Sequence, residues 1–568
     1  MFSALAALIF YTAPLTIQEG IASAAPSIEV PVVESSDHQH LKNYDSRSTK
    51  AANEIAAILR NGKTYEKCGD LSSALQCYKS GYKQFPGSNS IQQHLSRMKV
   101  LCDIQKRYAS KDHQLIIRKM DPEEFRLFVA SFFEIFCSNY CSELTPSEIF
   151  QREIVCIDIA LNSRDFRSEI IPEHSTEQIR EFRRAIRNKK VQTYDELIAA
   201  NLELGELFEK HFHENGAILV VEGMFSFIAS LDTYSEVLLP IQHKDQLAGI
   251  HGNVVGIGTE LSTVAGKTRI ERLVPNSPAA LAGIQRLDTI THINDIPISG
   301  KQKVQISEML CGTEGSPVQL TLERKNGETY TVKLLRRHVT YPSVSCVQLI
   351  SDTSKGSRIG YIHLEKFQTN TPDEMEDHLK MFLQKGVTGL VIDLRGNPGG
   401  TVTSAVNAAN LFLDKGVILK TRSRSKISQQ YTADPIKYYG LPLVILVDHE
   451  SASAAEIFAA AIKDHKRGIL IGKQTFGKWV IQSLLPIPNS QFHMKLTTYR
   501  FYSPNEHQYN HVGIEPDYEI HQTGKPIFKE NLDFQENFSV GHSHASQLLI
   551  QDPILMRAAS LLSEAAHP

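Results

Sequence analysis

The sequence GLVIDLRGNPGG, residues 389–400, specifies the fold of the second half of the chain. Its first six residues are apolar except for Asp393, which is typical of a buried strand. The Gly- and Pro-rich remainder predicts a loop at the carboxyl end of that strand. A helix capped by Thr371-Pro372-Asp373-Glu374 runs to about Gln384, and a second helix follows the loop to about Leu413. Because strand and helix alternate, we expect a sheet with at least one βαβ unit and functional loops at its strand ends.

A second apolar strand, Leu443 to Asp448, leads into the sequence ESASAAE at residues 450–456 and an Ala-rich run to Asp464. Ser453 therefore lies at a strand-to-helix turn. The amino terminus of a helix offers free N–H groups and positive potential where an oxyanion would form, so this serine is well placed as a nucleophile. A serine before a helix is also the usual N-cap, so its position alone leaves both roles open.

Lys478 follows Ser453 by one predicted helix and one predicted strand, so both residues are expected at the same edge of the sheet. A lysine can act as general base for a serine only when it is neutral, which requires its pKa to fall by roughly three units from about 10.4. Apolar neighbours supply the required burial, and Gln482 is placed to orient the amine by a hydrogen bond. These neighbours are Phe476, Trp479, Val480 and Ile481.

Between residues 245 and 340 the pattern changes to short strands separated by glycine-containing turns. Gly256-Ile257-Gly258, the short helix in Ser277-Pro278-Ala279 to Gly283, and Asp288 together resemble a PDZ domain, a module that binds peptide ends. The resemblance implies that N–H groups of the loop at 256–258 hold a terminal carboxylate while the peptide extends a sheet edge. A plain glycine turn is the alternative. Leu287 replaces the usual Gly before Asp288, so this turn is expected to be altered.

The motifs DLRGNPGG at 393–400, SASAAE at 451–456, TFGK at 475–478 and GIEPD at 513–517 together resemble the carboxy-terminal processing peptidases, also called tail-specific proteases. The resemblance covers residues 245 to 520. It implies an α/β serine-peptidase domain of the ClpP/crotonase-like type, with an acyl-enzyme mechanism and neither a metal nor an organic cofactor.

Specific roles follow from the same resemblance. Ser453 would be the nucleophile, Lys478 the general base and Gln482 the residue that orients it. The N–H groups of Gly400 and Ala454 would form the oxyanion hole. Asp464 matches an acidic position sometimes given a charge-relay role, although capping or pairing with Lys466 or Arg467 is the favoured interpretation. Trp479 stands where the family usually has Gly, and a ring there is expected to narrow the site or shield Lys478 from water.

The predicted organisation is multidomain α+β. Residues 1–24 resemble an export signal ending in Ala22-Ser23-Ala24, which suggests an extracytoplasmic or periplasmic location. Residues 25–47 read as a flexible leader and 48–240 as a helical domain, in which Gly62, Tyr78 and Gly81 belong to a single tetratricopeptide-like hairpin. The PDZ-like domain spans 245–340, the peptidase domain 341–525, and a partly helical tail 526–568.

Composition and motifs limit the classes of binding partner that the sequence predicts. The formal charge is only -3, which gives no general attraction to nucleic acid, and no later stretch has 18 consecutive apolar residues, so no membrane span is expected in the mature chain. Gly266-Lys267-Thr268 lacks the upstream Gly of a phosphate loop, and H-E-x-x-H is missing. The expected partners are proteins with exposed apolar C-termini. The alternative function is a noncatalytic peptide-binding scaffold with an inert protease fold.

Overall fold

The structure is a computed structural model and describes residues 40–85, 87–109, 112–172, 176–186, 189–264, 266–301, 303–352, 357–424, 428–434, 439–520 and 552–566. The chain divides into two compact units, residues 1–57 and 58–568. Everything described below, apart from the first part of helix α1, lies in the second unit. The predicted export signal lies outside the described residues. Helix α1 begins at His40, inside the segment predicted as a flexible leader.

Helices make up the described chain as far as residue 231. Cap residues start several of them, as the sequence predicts: Asp121 accepts hydrogen bonds from the N–H groups of Glu123 and Glu124, and Thr145 accepts one from Glu148. Aromatic and aliphatic side chains from α3 to α10 form one large core. The elements are α1 (His40–Lys67), α2 (Leu71–Gln84), α3 (Asn89–Ala109), α4 (Asp112–Arg118), α5 (Pro122–Asn139), α6 (Pro146–Asn162), α7 (Arg164–Ile170), α8 (Thr176–Ile186), α9 (Tyr194–Phe212) and α10 (Gly216–Leu231).

Small residues let the first helices approach closely. A Cβ at Gly62 would lie 2.2 Å from the ring of Tyr78, and one at Gly81 would lie 2.6 Å from Ile58. These glycines are those of the predicted tetratricopeptide-like spacing. Strand β1 (Glu236–Leu238) and helix α11 (Pro240–His251) then connect the helices to the β-rich part.

A small sheet with the order β3-β4-β5-β7-β8 forms the β-rich part, with β6 paired to β5, and β2 pairs separately with β9. Strand β3 is an edge strand, and α13 lies beside it. Leu287 has a φ of 71°, so it keeps the left-handed backbone that the missing Gly would adopt. The elements are β2 (Asn253–Gly256), β3 (Thr259–Val264), β4 (Lys267–Leu273), α12 (Pro278–Leu281), β5 (Thr289–Ile293), β6 (Ile296–Pro297), α13 (Lys303–Leu310), β7 (Pro317–Glu323), β8 (Thr329–Leu335) and β9 (Arg337–Thr340).

The last part contains two sheets. One has the order β10-β11-β12-β15-β16-β19, in which the strands from β11 onward are parallel. In the other, β18 pairs with β1, β13 and β17, and β14 extends the edge. The elements are β10 (Val344–Asp352), β11 (Ser357–Leu364), α14 (Thr371–Gln384), β12 (Gly389–Asp393), α15 (Val402–Asn410), β13 (Val417–Arg422), β14 (Ser428–Thr432), β15 (Leu443–Val447), α16 (Ala454–Asp464), β16 (Ile469–Gly472), β17 (Val480–Pro486), β18 (His493–Tyr502), β19 (Tyr518–Glu519) and α17 (Pro553–Ala566).

Both faces of the parallel sheet are covered, which explains why every residue of β12 and β15 is buried and why both strands are apolar apart from Asp393. Helices α14, α15 and α16 pack on one face, and α17 packs on the other through Ile554, Leu555, Ala558 and Leu562. The predicted α+β architecture, with helical, β-rich and α/β parts in that order, is confirmed. Within the described residues, no helix combines the length and apolar composition that a bilayer crossing requires. Seven cysteines are free thiols: Cys68, Cys77, Cys102, Cys137, Cys141, Cys156 and Cys311.

Candidate active site

Three neighbouring parallel strands, β12, β15 and β16, end at one edge of the sheet. The loop after β12 carries Gly400, the turn after β15 carries Ser453, and the loop after β16 carries Lys478. The carboxyl ends of adjacent parallel strands meet at a common edge, which is where such folds place ligands. The topology therefore brings the predicted nucleophile, base and oxyanion loop together.

Ser453 is the first residue before α16 and has a φ of 57° and a ψ of -114°. This conformation is rare for a residue with a side chain and costs about 1–3 kcal/mol. The surrounding turn maintains it, because the N–H of Ser453 donates to Glu456 Oε2 at 2.8 Å and Ala452 donates to the carbonyl of Asn397 at 2.9 Å. Ser453 is only partly buried. Strain at an accessible serine is typical of a nucleophile turn.

The loop of Gly399 and Gly400 lies directly against this turn. A Cβ at Gly399 would be 2.8 Å from the N atom of Ala454 and 2.8 Å from the Cβ of Ser453. At Gly400, where φ is 155°, a Cβ would be 2.0 Å from the carbonyl oxygen of Phe367. Only glycine allows these approaches. Within the described chain, the N–H groups of Gly400 and Ala454 have no hydrogen-bond acceptor, so both are available to an oxyanion.

Lys478 is largely shielded from solvent. Burial is the main cause that lowers its pKa from the ordinary value near 10.5 to about 8, and the nearby charge of Lys495 adds to the shift. The described residues provide no hydrogen bond to its Nζ, which lies 4.7 Å from the centre of the Tyr234 ring. No hydrogen bond joins Lys478 Nζ to Ser453 Oγ in this conformation. Proton transfer between these two groups would therefore require a side-chain conformation other than this one.

Glu456, on the first turn of α16, is fully buried. It links the turn that carries Ser453 (the serine turn) to the loop after β16 that carries Lys478 (the lysine loop). Its Oε2 accepts the N–H groups of both Ser453 and Lys478, each at 2.8 Å, so the two nitrogens lie within two hydrogen-bond lengths of each other. Its Oε1 accepts from Thr475 Oγ1 at 2.6 Å and Gly477 N at 2.7 Å. Burial raises the pKa of Glu456, although the hydrogen bonds that its carboxylate accepts act to lower it. The sequence offered a signal for this residue, since Ser453 and Glu456 have the spacing of a capping box.

Two further predicted residues form no hydrogen bond with Lys478 Nζ in this structure. Gln482 Nε2 donates to Thr497 Oγ1 at 3.4 Å, and no hydrogen bond joins this amide to the lysine. Asp464 ends α16, about 16 Å along the helix from Ser453. Its Oδ2 accepts the N–H of Asn505 at 2.9 Å, and His507 lies 4.0 Å from its Oδ1. The structure therefore joins Asp464 to the loop after β18.

Trp479 points into the hydrophobic core. It is fully buried, with its ring 4.5 Å from the ring of Phe501 and 4.8 Å from that of Tyr509. The aromatic ring that contacts the lysine amine is Tyr234, from the helical region. No local pattern in the sequence pointed to Tyr234, because it is distant along the chain from Lys478.

The closing motif at 513–517 supports the lysine loop. The N–H of Ile514 donates to Thr475 Oγ1 at 2.7 Å, and a Cβ at Gly513 would lie 2.1 Å from the carbonyl oxygen of Thr475. Phe476 donates its N–H to the carbonyl of Ser451 at 2.9 Å. The lysine loop is therefore held between the serine turn and the closing motif.

The second candidate site is the loop at Gly256, Ile257 and Gly258. Its carbonyls are used internally, since Ile257 accepts from Ala279 N and Gly258 accepts from Val274 N. Within the described chain, the N–H groups of Ile257 and Gly258 have no acceptor. The loop leads directly into the edge strand β3. This arrangement leaves donors for a carboxylate beside an edge that can accept a further strand.

A cleft of about 690 Å³ lies between the edge strand β3 and the loop after β12. Thr259 and Leu261 of β3 and Ser307 of α13 line one end, and Gly396 and Pro398 of the loop after β12 line the other.

Two family models match the chain. Peptidase family S41 matches residues 358–520, and the PDZ domain model matches residues 269–324. These matches confirm that the β-rich part is a PDZ domain and that the α/β part is a peptidase of the predicted type.

The chain is similar to several known proteins. A carboxyl-terminal-processing protease from Picosynechococcus sp. is 32% identical over 326 residues, which cover 56% of this chain and 76% of that protein. A probable CtpA-like serine protease from Staphylococcus aureus is 32% identical over 318 residues, and the match spans 62% of its length. Among solved structures, a photosystem II D1 C-terminal processing protease is 23% identical, with 70% of this chain and 94% of that chain covered and a TM-score of 0.38.

Proposed function

This chain belongs to the family of carboxyl-terminal-processing proteases, which are serine-type peptidases, and on this premise we propose that it is an endopeptidase that uses Ser453 and Lys478 as a catalytic dyad. The observation that carries the proposal is the shared carboxylate of Glu456. It holds the strained serine turn and the buried lysine loop together at the edge where the free N–H groups of Gly400 and Ala454 lie.

The geometry supports a two-step mechanism. Neutral Lys478 takes the proton from Ser453 Oγ as this oxygen attacks the substrate carbonyl, and the N–H groups of Gly400 and Ala454 stabilise the oxyanion. The resulting ammonium of Lys478 protonates the leaving amine as the C–N bond breaks, which leaves an acyl-enzyme on Ser453. Water then attacks the ester carbonyl, Lys478 accepts a proton from this water and returns it to Ser453 Oγ, and the acid product leaves.

We also propose that the PDZ domain captures the substrate through its C-terminal carboxylate. The free N–H groups of Ile257 and Gly258 support this role, as do the edge strand β3 and the cleft between β3 and the loop after β12. Leu261 of β3 lines this cleft, and an apolar side chain there favours an apolar C-terminal residue on the substrate. We propose that Gln482, whose amide donates to Thr497 in this conformation, reorients to fix the direction of the Lys478 amine during the reaction.

Cleavage of an unfolded reporter protein with an apolar C-terminus tests these proposals. Wild type should cleave it, whereas S453A and K478M should reduce turnover to background. Amidation of the reporter C-terminus should raise KM and leave kcat nearly unchanged if the carboxylate is the captured group. Equal residual cleavage by wild type and S453A would contradict the assignment of the nucleophile. No cleavage by any of them would favour the noncatalytic scaffold.

We propose in addition that the chain is exported to an extracytoplasmic compartment. The support is the Ala22-Ser23-Ala24 sequence after an uncharged, apolar amino terminus. Sequencing of the amino terminus of the protein from its native cells should find Ala25 as the first residue. An intact Met1 in the mature protein would exclude cleavage at this site.

A further inference from the structure

The amine of the proposed base faces an aromatic ring from another part of the chain. Lys478 Nζ lies 4.7 Å from the centre of the Tyr234 ring, within the range of a cation–π interaction. Tyr234 belongs to the segment 232–235, which joins α10 to β1. The side chain that contacts the lysine thus comes from the helical region and not from the peptidase domain.

The segment 232–235 is held firmly. Asp232 Oδ1 accepts the N–H groups of Tyr234 at 2.7 Å and of Ser235 at 2.8 Å. Lys99, on α3, donates from Nζ to the carbonyls of Asp232 at 2.7 Å and of Ser235 at 2.6 Å. Two N–H groups and two carbonyls of this four-residue segment are therefore hydrogen-bonded, so the backbone that carries the Tyr234 ring has little freedom.

The same segment is connected to the strands of the peptidase domain. Ser235 Oγ donates to Thr497 Oγ1 at 3.3 Å and accepts the N–H of Thr497 at 3.1 Å. Thr497 Oγ1 also accepts from Gln482 Nε2 at 3.4 Å. Tyr234 is therefore held relative to the strand that follows the lysine loop.

We propose that Tyr234 is a positioning residue: its ring contacts the amine of Lys478 and restricts the directions in which the lysine side chain can point. This inference rests on the proposed role of Lys478 as the base. It gives the helical region a part in catalysis, because Lys99 and Asp232 fix the segment that presents the ring.

Several charged groups influence the pKa of the Lys478 amine, so the variants used in a test must leave those groups unchanged. Lys79 on α2 and Lys495 on β18 disfavour its charged form, while Asp232 and Glu456 favour it. The Tyr234 ring has two opposing effects on the same equilibrium. Its π-face stabilises the ammonium form, and its bulk excludes water and so disfavours that form.

Two substitutions separate these effects. Y234L keeps most of the apolar bulk and removes the π-face, so the pKa of Lys478 should fall by about one unit. Y234A opens space that water can enter, so the pKa should rise by about one unit. A side chain that merely fills space would not produce shifts of opposite sign. In both variants, the plateau value of kcat should fall about tenfold because the amine is less well placed.

The full-length protein is used in two measurements. The first is a titration of the ¹³C-dimethylated lysines by NMR, in which the Lys478 signal is assigned from its loss in K478R. The second is the pH dependence of kcat/KM on the reporter protein, whose acidic limb should move with the titration. Y234F keeps the aromatic ring, so its NMR titration and its pH dependence of kcat/KM should both have the wild-type midpoint. Y65L, the same change at an exposed tyrosine of the helical region, is the matched control.

Shifts of the same sign in Y234L and Y234A, or no shift in either, would overturn the proposal. A failure of the proposed function looks different. In that case even the wild type would show no Ser453-dependent cleavage, while the NMR titration would still report whether the ring acts on Lys478.

Discussion

Arg395 Nη2 lies 2.9 Å from Asp552 Oδ2, so the loop that ends in Gly400 is paired with the start of the C-terminal helix α17. Both side chains are buried, with relative exposures of 2% and 0%. Arg395 also pairs with Asp393 through Nε at 2.9 Å and Nη2 at 2.6 Å. Burial opposes the ionisation of Asp393, but the charge and hydrogen bonds of Arg395 outweigh it and hold the pKa of this carboxyl below its ordinary value. One guanidinium therefore joins β12 to α17.

The first prediction concerns this pairing. D552N removes one charge from a buried ion pair while keeping the size of the side chain. We expect the free energy of unfolding to fall by about 2–4 kcal/mol, because the guanidinium of Arg395 loses a buried partner. Since Arg395 precedes the loop of Gly400, kcat should also fall, by about tenfold, with less change in KM.

Denaturant unfolding and steady-state kinetics measure both effects. E564Q, at an exposed position of the same helix, is the control and should stay within about 0.5 kcal/mol of wild type. An unfolding free energy of D552N equal to that of E564Q would show that the C-terminal helix does not stabilise the loop through this contact.

The second prediction concerns Glu456, whose two oxygens accept four hydrogen bonds. In E456Q the amide NH₂ cannot accept, so two of these donors lose their partner. Each unsatisfied buried donor costs about 1–3 kcal/mol, and we expect a total loss of about 2–6 kcal/mol in unfolding free energy. Because the serine turn and lysine loop share this carboxylate, a displacement near 1 Å should lower kcat about 100-fold.

The matched control is E450Q, the same substitution at an exposed residue of the same turn. It should keep wild-type stability and turnover. If E456Q turned over substrate as fast as E450Q, the alignment of the two loops would not depend on the shared carboxylate.

Much of this site could be predicted from sequence because its parts are local. β12 and β15 are continuous apolar runs, and each is followed directly by its functional loop, so a pattern over a dozen residues suffices. The PDZ domain was predictable for the same reason. The backbone at Leu287 shows the limit of such reasoning, since the expected altered turn keeps the left-handed conformation. Tertiary contacts impose a backbone geometry there that the residue type disfavours.

The residues that sequence reasoning missed act across long separations. Tyr234 and Asp552 reach the site from the helical region and from the C-terminal helix. Neither has a local pattern that signals a role, because a tyrosine in a loop and an aspartate before a helix are common surface features. Their importance appears only when packing brings them beside Lys478 and Arg395. The orientation of Trp479 likewise depends on tertiary packing, because its ring packs in the core against Phe501 and Tyr509.

The third prediction follows from the pKa of Lys478, which burial lowers to about 8. Only the neutral amine can accept the proton of Ser453, so kcat/KM should rise with pH and level off above about 8. The stability effect has its own sign. Because the folded pKa lies below the unfolded value near 10.5, the folded state is penalised at every pH below about 8, and the penalty is lost as pH rises toward 10.5.

K478M removes the ionisable group and keeps an unbranched chain. At pH 7 it should therefore be more stable than wild type, by up to about 3 kcal/mol, although it is inactive. The gain should disappear near pH 10.5. Unfolding of both proteins at a series of pH values measures this difference. K473M, the same substitution at the residue that follows β16, is the control. A gain that does not change with pH would mean that burial does not shift Lys478.

The fourth prediction concerns Gly400. In G400A the new Cβ would fall 2.0 Å from the carbonyl oxygen of Phe367, at a φ of 155° that residues with side chains rarely adopt. The loop must move to relieve this contact, which takes the N–H of residue 400 away from the oxyanion. Loss of one such donor lowers kcat about 100- to 1,000-fold, and KM should change little because the ground-state carbonyl gains less from it. G87A, where a Cβ meets nothing within 4 Å, is the control and should keep wild-type kinetics. A kcat for G400A within twofold of that for G87A would show that this N–H does not stabilise the oxyanion.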